Sequence, residues 1–262
     1  PEIIIHAAAL KHVSISEDNC DEVINTNIFG TLSLLKLYKN YDYIKKFVFV
    51  STDKAVNPSS LMGMTKYIAE TLCRQYASNL KNKKFVIVRF GNVLSSSGSV
   101  VPIFERQIKN HGPVTVSHPD VNRYFMLINE ACSLILLSAS INNSNQDNLK
   151  TYMLDMGNPV KILDLAKKMI ELNSFNADEI EIKITGLKKG EKISEELSYD
   201  FEKPSKIENL PIFILKDTKI LKNFEDMIDN LRELSSNMST ADADLKGSCE
   251  DICKKIINEN EI

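Results

Sequence analysis

The chain has 262 residues, 43% of them hydrophobic and 26% charged, the balance of a globular protein with length for one large domain or two smaller ones. Its net charge of −3 gives no global attraction to nucleic acid, so no nucleic-acid partner is expected, although a local basic groove for a phosphate ligand remains open. Five cysteines, Cys20, Cys73, Cys132, Cys249 and Cys253, form neither a CxxC pair nor a Cys/His cluster, which argues against a zinc site or a disulfide framework; no metal is expected.

No run approaches the roughly eighteen apolar residues of a membrane span, and the first residues lack a charged-then-apolar leader, so a cytoplasmic protein is expected. The sequence opens at Pro1 without Met, in what reads as the middle of a sheet, and a fragment of a longer protein is inferred.

Ile3 to Ala7 is a short apolar run, the pattern of a parallel strand buried on both faces. The small residues Ala7, Ala8 and Ala9 follow it and let another body approach the strand end. Asp21 to Asn40 carries Val23, Ile24, Ile28, Leu32, Leu35 and Leu37 at helical spacing. Gly30 inside it costs a helix about 1 kcal/mol and suggests close packing on a sheet. Phe47 to Val50 is the next buried strand, then come the polar stretch 51–66 and an amphipathic helix from Tyr67 to Tyr76. Lys84 to Phe90 is a third strand, ending at Gly91-Asn92. Strands and helices alternating at this spacing predict βαβ units and a parallel sheet.

Ser95 to Val100 reads as a flexible loop, Val101 to Asn110 as a helix and Val114 to Val116 as a strand. After the polar turn Ser117 to Asn122 comes Arg-Tyr-Phe-Met at 123–126. Ile128 to Ser140 is a predicted helix, Asn142 to Asn148 a solvated loop, Thr151 to Met156 a strand closed by Gly157, Pro159 to Leu172 a helix and Ile180 to Thr185 a strand. Beyond about Lys222 the chain is charged, rich in Asn and Ser and helical in period, and reads as a peripheral tail without chemistry.

The stretch Ser-Thr-Asp-Lys-Ala-Val-Asn-Pro-Ser-Ser-Leu-Met-Gly-Met-Thr-Lys at 51–66 leaves the end of the second strand with a hydroxyl pair, an acid and a base. In a doubly wound α/β sheet ligands bind outside the carboxyl ends of the strands, which makes these groups candidates for chemistry. The competing reading is a turn cap and a solvated charge pair.

The order of motifs resembles the extended short-chain dehydrogenase/reductase superfamily and, within it, the CapD-like UDP-N-acetylglucosamine 4,6-dehydratases of bacterial polysaccharide biosynthesis. The matching stretches are His-Ala-Ala-Ala-Leu-Lys-His-Val at 6–13, Thr-Asn-Ile-Phe-Gly-Thr at 26–31, Ser-Thr-Asp-Lys-Ala-Val-Asn-Pro at 51–58 and Met-Gly-Met-Thr-Lys at 62–66. They continue with Arg-Phe-Gly-Asn-Val-Leu at 89–94, Arg-Tyr-Phe-Met at 123–126, Leu-Asp-Met-Gly at 154–157 and Gly-Glu-Lys at 190–192. One such match is weak; the whole series, in order over roughly residues 1 to 215, is specific.

The resemblance implies a Rossmann-like doubly wound α/β sheet lacking its first strands, over 1–94 with returns near 123–157. A smaller α/β substrate-binding region over 95–222 and the helical tail at 223–262 complete the expected organisation. It implies NAD or NADP as cofactor and UDP-N-acetylglucosamine as substrate, dehydrated to the 4-keto-6-deoxy sugar by C4 oxidation, loss of water across C5 and C6, and C6 reduction. By similarity Thr52 lies near the C4 hydroxyl, Asp53 is the acid at the C6 oxygen and Lys54 the base at C5. Met62 stands where the superfamily carries the Tyr of Tyr-x-x-x-Lys and has no acidic proton, which moves that work to the trio; a dead enzyme is the other reading. Lys66 is expected on the cofactor ribose, with Ala7, Ala8 and Ala9 lining the dinucleotide and Asn27 at the superfamily's active-site Asn, or else simply holding a helix-interior water.

For the nucleotide sugar, Asn92, Ser99, Val100 and Val116 resemble contact residues. Arg123 is the implied clamp on the diphosphate, because a guanidinium pairs bidentately with phosphate oxygens, against a surface salt bridge. Glu191 is implied at the uridine ribose, against a solvated turn. The Gly-rich phosphate loop of the fold is not in this sequence. Retention at C5, with a C5-inverting dehydratase or a related nucleotide-sugar epimerase as the alternative, a homo-oligomer, and membrane attachment only through a segment upstream complete the expectations; the competing class is an inactive nucleotide-sugar-binding fragment.

Overall fold

The structure, a computed structural model, describes residues 1–141, 147–173, 179–216, 229–230, 233 and 245–258. The chain begins with β1 (Ile3–His6), α1 (Val13–Asp18), α2 (Cys20–Ile24), a π-helical turn (Asn25–Phe29) and α3 (Gly30–Asn40). It continues through β2 (Lys46–Val50), a 3-10 turn (Asp53–Ala55), α4 (Leu61–Asn79), β3 (Lys84–Arg89), β4 (Asn92–Val93), α5 (Val100–Lys109) and β5 (Val114–Val116). Then come β6 (Asn122–Arg123), β7 (Phe125–Met126), α6 (Ile128–Ser140), β8 (Leu149–Leu154), β9 (Val160–Lys161) and α7 (Ile162–Leu172). The last elements are β10 (Ile182–Ile184), β11 (Ser205–Lys206), β12 (Ile212–Leu215) and α8 (Leu245–Asn258).

The central sheet has the order β1-β2-β3-β8-β12-β11, with the first four strands parallel and the last two antiparallel. A parallel sheet must be covered on both faces, and the side chains of β2 and β3 sort accordingly. Phe47, Phe49, Phe85 and Ile87 pack with Ile24, Leu35, Ile68 and Leu72 of α2, α3 and α4. Val48, Val86 and Val88 pack with Ala131 and Leu134 of α6 on the other face. This is the doubly wound α/β architecture expected from the βαβ pattern. A third cluster, including Phe104, Ile108, Val114, Ile162 and Ile170, holds α5, β5, α7 and β10 together as a smaller α/β lobe.

Several expectations are corrected. In β1 only His6 is buried, while Ile3 and Ile5 are 46% and 43% exposed. Here β1 is the edge strand; Ile5 pairs with Val48, so it faces the α6 side, and α6 packs on β2, β3 and β8. Gly30 does not mark close helix–sheet contact, because an added Cβ would meet only the Asn25 carbonyl oxygen of its own helix, at 3.6 Å. The helix expected from Tyr67 begins at Leu61, capped by Ser60, whose Oγ accepts from the Gly63 N–H at 3.1 Å. Val160 and Lys161 pair with β6, so the helix expected from Pro159 starts at Ile162.

The solvated loop expected at 142–148 lies mostly outside the described residues, as does most of the tail. The described part of the tail is helical but not peripheral. Cys253, Ile256 and Ile257 of α8 are buried in the cluster that contains Ile68 and Leu72 of α4, because their i, i+3, i+4 spacing puts them on one helix face.

Candidate active site

At the end of β2 the chain stays tied to β3: the Ser51 N–H donates to the Val88 carbonyl and the Asp53 N–H to that of Phe90. These bonds bury Asp53 completely beside Gly91, where an added Cβ would lie 3.2 Å from Asp53 Oδ2. Thr52 Oγ1 donates to Asp53 Oδ1 at 2.8 Å, and Lys54 Nζ donates to the same oxygen at 2.9 Å and to Asn92 Oδ1 at 3.0 Å. Asp53 Oδ2 has no hydrogen-bond partner among the described residues. Thr52 does cap the 3-10 turn, its Oγ1 accepting from the Lys54 N–H at 3.4 Å, but Asp53 and Lys54 are not a solvated charge pair: the three residues form one hydrogen-bonded unit around the buried carboxylate.

The N-terminal turn of α4 lies against this unit. Met62 and Lys66 are both buried one turn apart, and Lys66 Nζ donates to the Val50 carbonyl at 2.7 Å and sits 4.1 Å from the centre of the Phe49 ring. Burial pulls the Lys66 ammonium down to about 8, with Glu70 acting against the shift. Asn27 uses its amide on the protein itself: Oδ1 accepts from the Leu10 N–H, and Nδ2 donates to the Leu10 carbonyl and to Thr65 Oγ1. It positions the segment after β1 against α4.

Residues 186–199 close the site from the other side. Lys192 Nζ and the Tyr199 hydroxyl donate to the carbonyls of Val56 and Ala55, and Ser59 Oγ donates to that of Gly190. Arg123 is buried and donates to the carbonyls of Asn122, Lys192 and Ile193. Its Nη2 lies 3.5 Å from Glu191 Oε1, which also accepts from Ser117 Oγ. Glu195, which the sequence reading did not single out, places Oε1 3.7 Å from Lys54 Nζ and 3.9 Å from Arg123 Nε. Burial raises its carboxyl above the usual range, against the pull of Lys54.

Two cavities meet at this point. One, about 450 Å³, is lined by Ala7, Ala9, Thr52, Lys54, Met62, Lys66, Asn92, Ser99 and Val100 among others. The second, about 360 Å³, is lined by Lys54, Asn92, Val100, Val116, Arg123, Glu191 and Glu195 among others. His12, Lys54, Asn92 and Val100 form the shared wall. Of the expected residues, Ala8 is exposed, and Ala8, Asp53 and Asn27 do not line either cavity; Asp53 reaches the site through Lys54 and Thr52. The first cavity suits one end of a dinucleotide: Ala7 and Ala9 leave room for a flat ring, Lys66 adds positive charge, and Ser99 Oγ is buried with no hydrogen-bond partner among the described residues. Among the described residues no group of His, Cys, Asp and Glu could hold a metal, and no helix is long and apolar enough to cross a membrane.

Residues 1–217 match the family model described as polysaccharide biosynthesis protein. The chain belongs to this family. Within the polysaccharide biosynthesis protein family it is similar to the capsular polysaccharide biosynthesis protein CapD of Staphylococcus aureus, 47% identical over 75% of this chain and 32% of the relative. The chain therefore spans about a third of that relative's length. It is also similar to the inverting UDP-N-acetylglucosamine 4,6-dehydratase of Campylobacter jejuni, 31% identical over 82% of this chain and 64% of the relative. Among solved structures, Pen from Bacillus thuringiensis superposes with a TM-score of 0.73 at 36% identity, covering 82% of this chain and 66% of that one. Other structures of this Rossmann-like fold, a dehydratase and epimerases, hold NAD. The relatives and structural neighbours thus include nucleotide-sugar dehydratases and epimerases.

Glu195 was missed because nothing in the run Gly186 to Leu197 distinguishes it from its neighbour Glu196. Only the packing of that segment on Val56 and Ser59 turns one of the two carboxylates inward. The closeness of Gly91 to Asp53 was equally silent, since Gly91 reads as an ordinary strand terminator.

Proposed function

We propose that this chain carries the acid/base and nucleotide-sugar-binding part of an NAD- or NADP-dependent UDP-N-acetylglucosamine 4,6-dehydratase serving surface polysaccharide synthesis, whose product is UDP-4-keto-6-deoxy-N-acetylhexosamine. The observation that carries the reading is the hydrogen-bonded Thr52–Asp53–Lys54 unit, which puts Lys54 on the wall shared by the two cavities and Thr52 in the first, beside a Met62 that cannot relay a proton.

The bound cofactor would supply the oxidation of C4 and the later reduction of C6, held by Ala7, Ala9 and Lys66. The remaining chemistry belongs to the chain. A proton passed along the 2.9 Å bond from Lys54 Nζ to Asp53 Oδ1 arms both groups at once. The carboxylic acid at Asp53, buried behind Thr52, protonates the departing C6 hydroxyl by way of the Thr52 hydroxyl, and the neutral amine of Lys54 takes the C5 proton. Lys54 returns that proton to C5 as C6 is reduced, and the proton released from the C4 hydroxyl restores the pair, so the net loss is one water. Thr52 Oγ1 orients the C4 hydroxyl, and Met62 keeps that wall apolar. Arg123, which lines the second cavity, would pair with the diphosphate, with Glu191 toward the ribose. Both cavities are needed, because elimination requires the reacting carbons fixed against the acid and the base together.

The test is to incubate the protein at its natural length with UDP-N-acetylglucosamine and follow loss of water, with Asp53→Asn and Lys54→Ala in parallel. Product from the wild type, with turnover abolished and sugar-nucleotide binding kept in both variants, is the expected result. No product from the wild type sinks the reading and leaves a binding module. The C5 configuration of the product, read by NMR, separates a retaining from an inverting enzyme.

A further inference from the structure

Lys54 Nζ is addressed by oxygens from three separate segments: Asp53 at the end of β2, Asn92 after β3, and Glu195 from the segment that closes the second cavity. Glu195 differs from the other two. Its side chain is only 4% exposed, its Oε2 has no hydrogen-bond partner among the described residues, and its Oε1 stands between two cations, Lys54 and Arg123. A carboxylate removed from water costs several kcal/mol unless nearby charge offsets it. The charged groups that face it are Lys54 and Asp53 from the end of β2, Arg123 from β6 and Lys192 from its own segment. Burial raises its carboxyl, so its charge depends on those cations staying in place.

We propose that Glu195 is a positioning residue for Lys54, its carboxylate drawing the amine toward the wall shared by the two cavities and tying it to Arg123 on the nucleotide side. Asp53 and Asn92 hold the amine from the sheet side; Glu195 pulls from the substrate lobe. The amine is thereby centred at the junction rather than folded back on β2. The role rests on the reading of Lys54 as the base of the dehydration, but the hold itself is a property of the chain and is measured without turnover.

The deciding experiment is competitive acetylation of the chain with trace acetic anhydride at fixed pH, with Lys54 and the exposed Lys168 quantified by peptide mass spectrometry in wild type, Glu195→Gln and Glu195→Asp. An amine released from a carboxylate that holds it is freer to react, so Lys54 is expected to label roughly fivefold faster or more in Glu195→Gln, with Lys168 unchanged and Glu195→Asp in between. An unchanged ratio of Lys54 to Lys168 labelling overturns the proposal, and a melting temperature within a few degrees of wild type shows that the isosteric Gln variant is folded. In turnover of UDP-N-acetylglucosamine, Glu195→Gln is expected to lower kcat by about tenfold or more with KM little changed. A kcat within about twofold of wild type overturns the positioning role. If wild type makes no 4-keto sugar while Lys54 labelling still accelerates in Glu195→Gln, the dehydratase reading fails and the hold of Glu195 on Lys54 stands.

Discussion

The backbone of Gly63 lies directly on Lys54: a Cβ built at Gly63 would fall 2.3 Å from the Lys54 carbonyl oxygen and 3.2 Å from Pro58 Cβ. The first turn of α4 and the peptide after Asp53 are therefore in contact with no room for a side chain. Gly63→Ala should gain about 1 kcal/mol of helix propensity and lose more to overpacking, with a net loss of about 1–2 kcal/mol. A urea midpoint equal to or above that of wild type would show that the contact yields freely. Because the displaced group is the Lys54 peptide, the same variant should, under the proposed dehydratase reading, lower turnover of UDP-N-acetylglucosamine by the protein at its natural length.

Arg89 is buried with both of its partners. Its Nε and Nη2 donate to Glu70 at 2.8 and 2.6 Å, and its Nη1 to Glu202 at 2.7 Å, which ties β3 and α4 to the 3-10 turn at Asp200–Glu202. Arg89→Met should destabilise by about 3–5 kcal/mol, because Glu202 is left in the core without its cation and Glu70 with Arg74 alone. Chemical denaturation measures this, and a loss below about 1 kcal/mol would contradict the pairing.

Glu70 gives that network a pH signature. Despite the cost of its burial, Arg89 chiefly, aided by Arg74, lowers its carboxyl to about 2 from an ordinary 4.5. A depressed carboxyl contributes stability that is full above 4.5 and is lost as pH falls toward 2. The free energy of unfolding should decline through that window in wild type and more shallowly in Glu70→Gln, whose absolute stability is lower throughout.

His6 acts at milder acidity. Burial, with Lys66 adding to it, pulls its imidazole down to about 4 from 6.5, and its Nε2 shares a 2.9 Å hydrogen bond with Thr31 Oγ1. The unfolded chain takes up this proton near 6.5 and the folded one only near 4, so stability should fall as pH drops from 6.5 toward 4. His6→Gln should flatten the curve between those values; an unchanged slope would show that His6 does not cause it.

The helix α8 should matter to stability although it carries no chemistry. Ile256 is 1% exposed against the α4 side of the core. Ile256→Ala should cost about 2–4 kcal/mol, measured by denaturant unfolding, whereas a true peripheral tail would change by less than about 0.5 kcal/mol.

Much of the architecture was legible in the sequence because burial on both faces writes itself as unbroken apolar runs. Phe47 to Val50 and the run from Lys84 became β2 and β3, and Ile128 to Ser140 became α6 with the same bounds. The polar residues at the end of β2 stood out because a buried strand seldom ends in a hydroxyl, an acid and a base together. Where a residue stood was legible; what its side chain faced was not. Asn27 matches the family motif, yet its amide is consumed by Leu10 and Thr65, and Ala8 turns to solvent between two alanines that line the cavity. The inward turn of Glu195 rather than Glu196, and the docking of α8 on α4, depend on contacts between residues more than a hundred positions apart. Sequence periodicity reports the neighbours along a helix or strand, and such long-range juxtapositions arise only when the lobes close on one another. The Thr52–Asp53–Lys54 trio was thus named by sequence order, while the place of Lys54 on the wall between two cavities, with a second carboxylate 3.7 Å from its amine, was decided by tertiary packing.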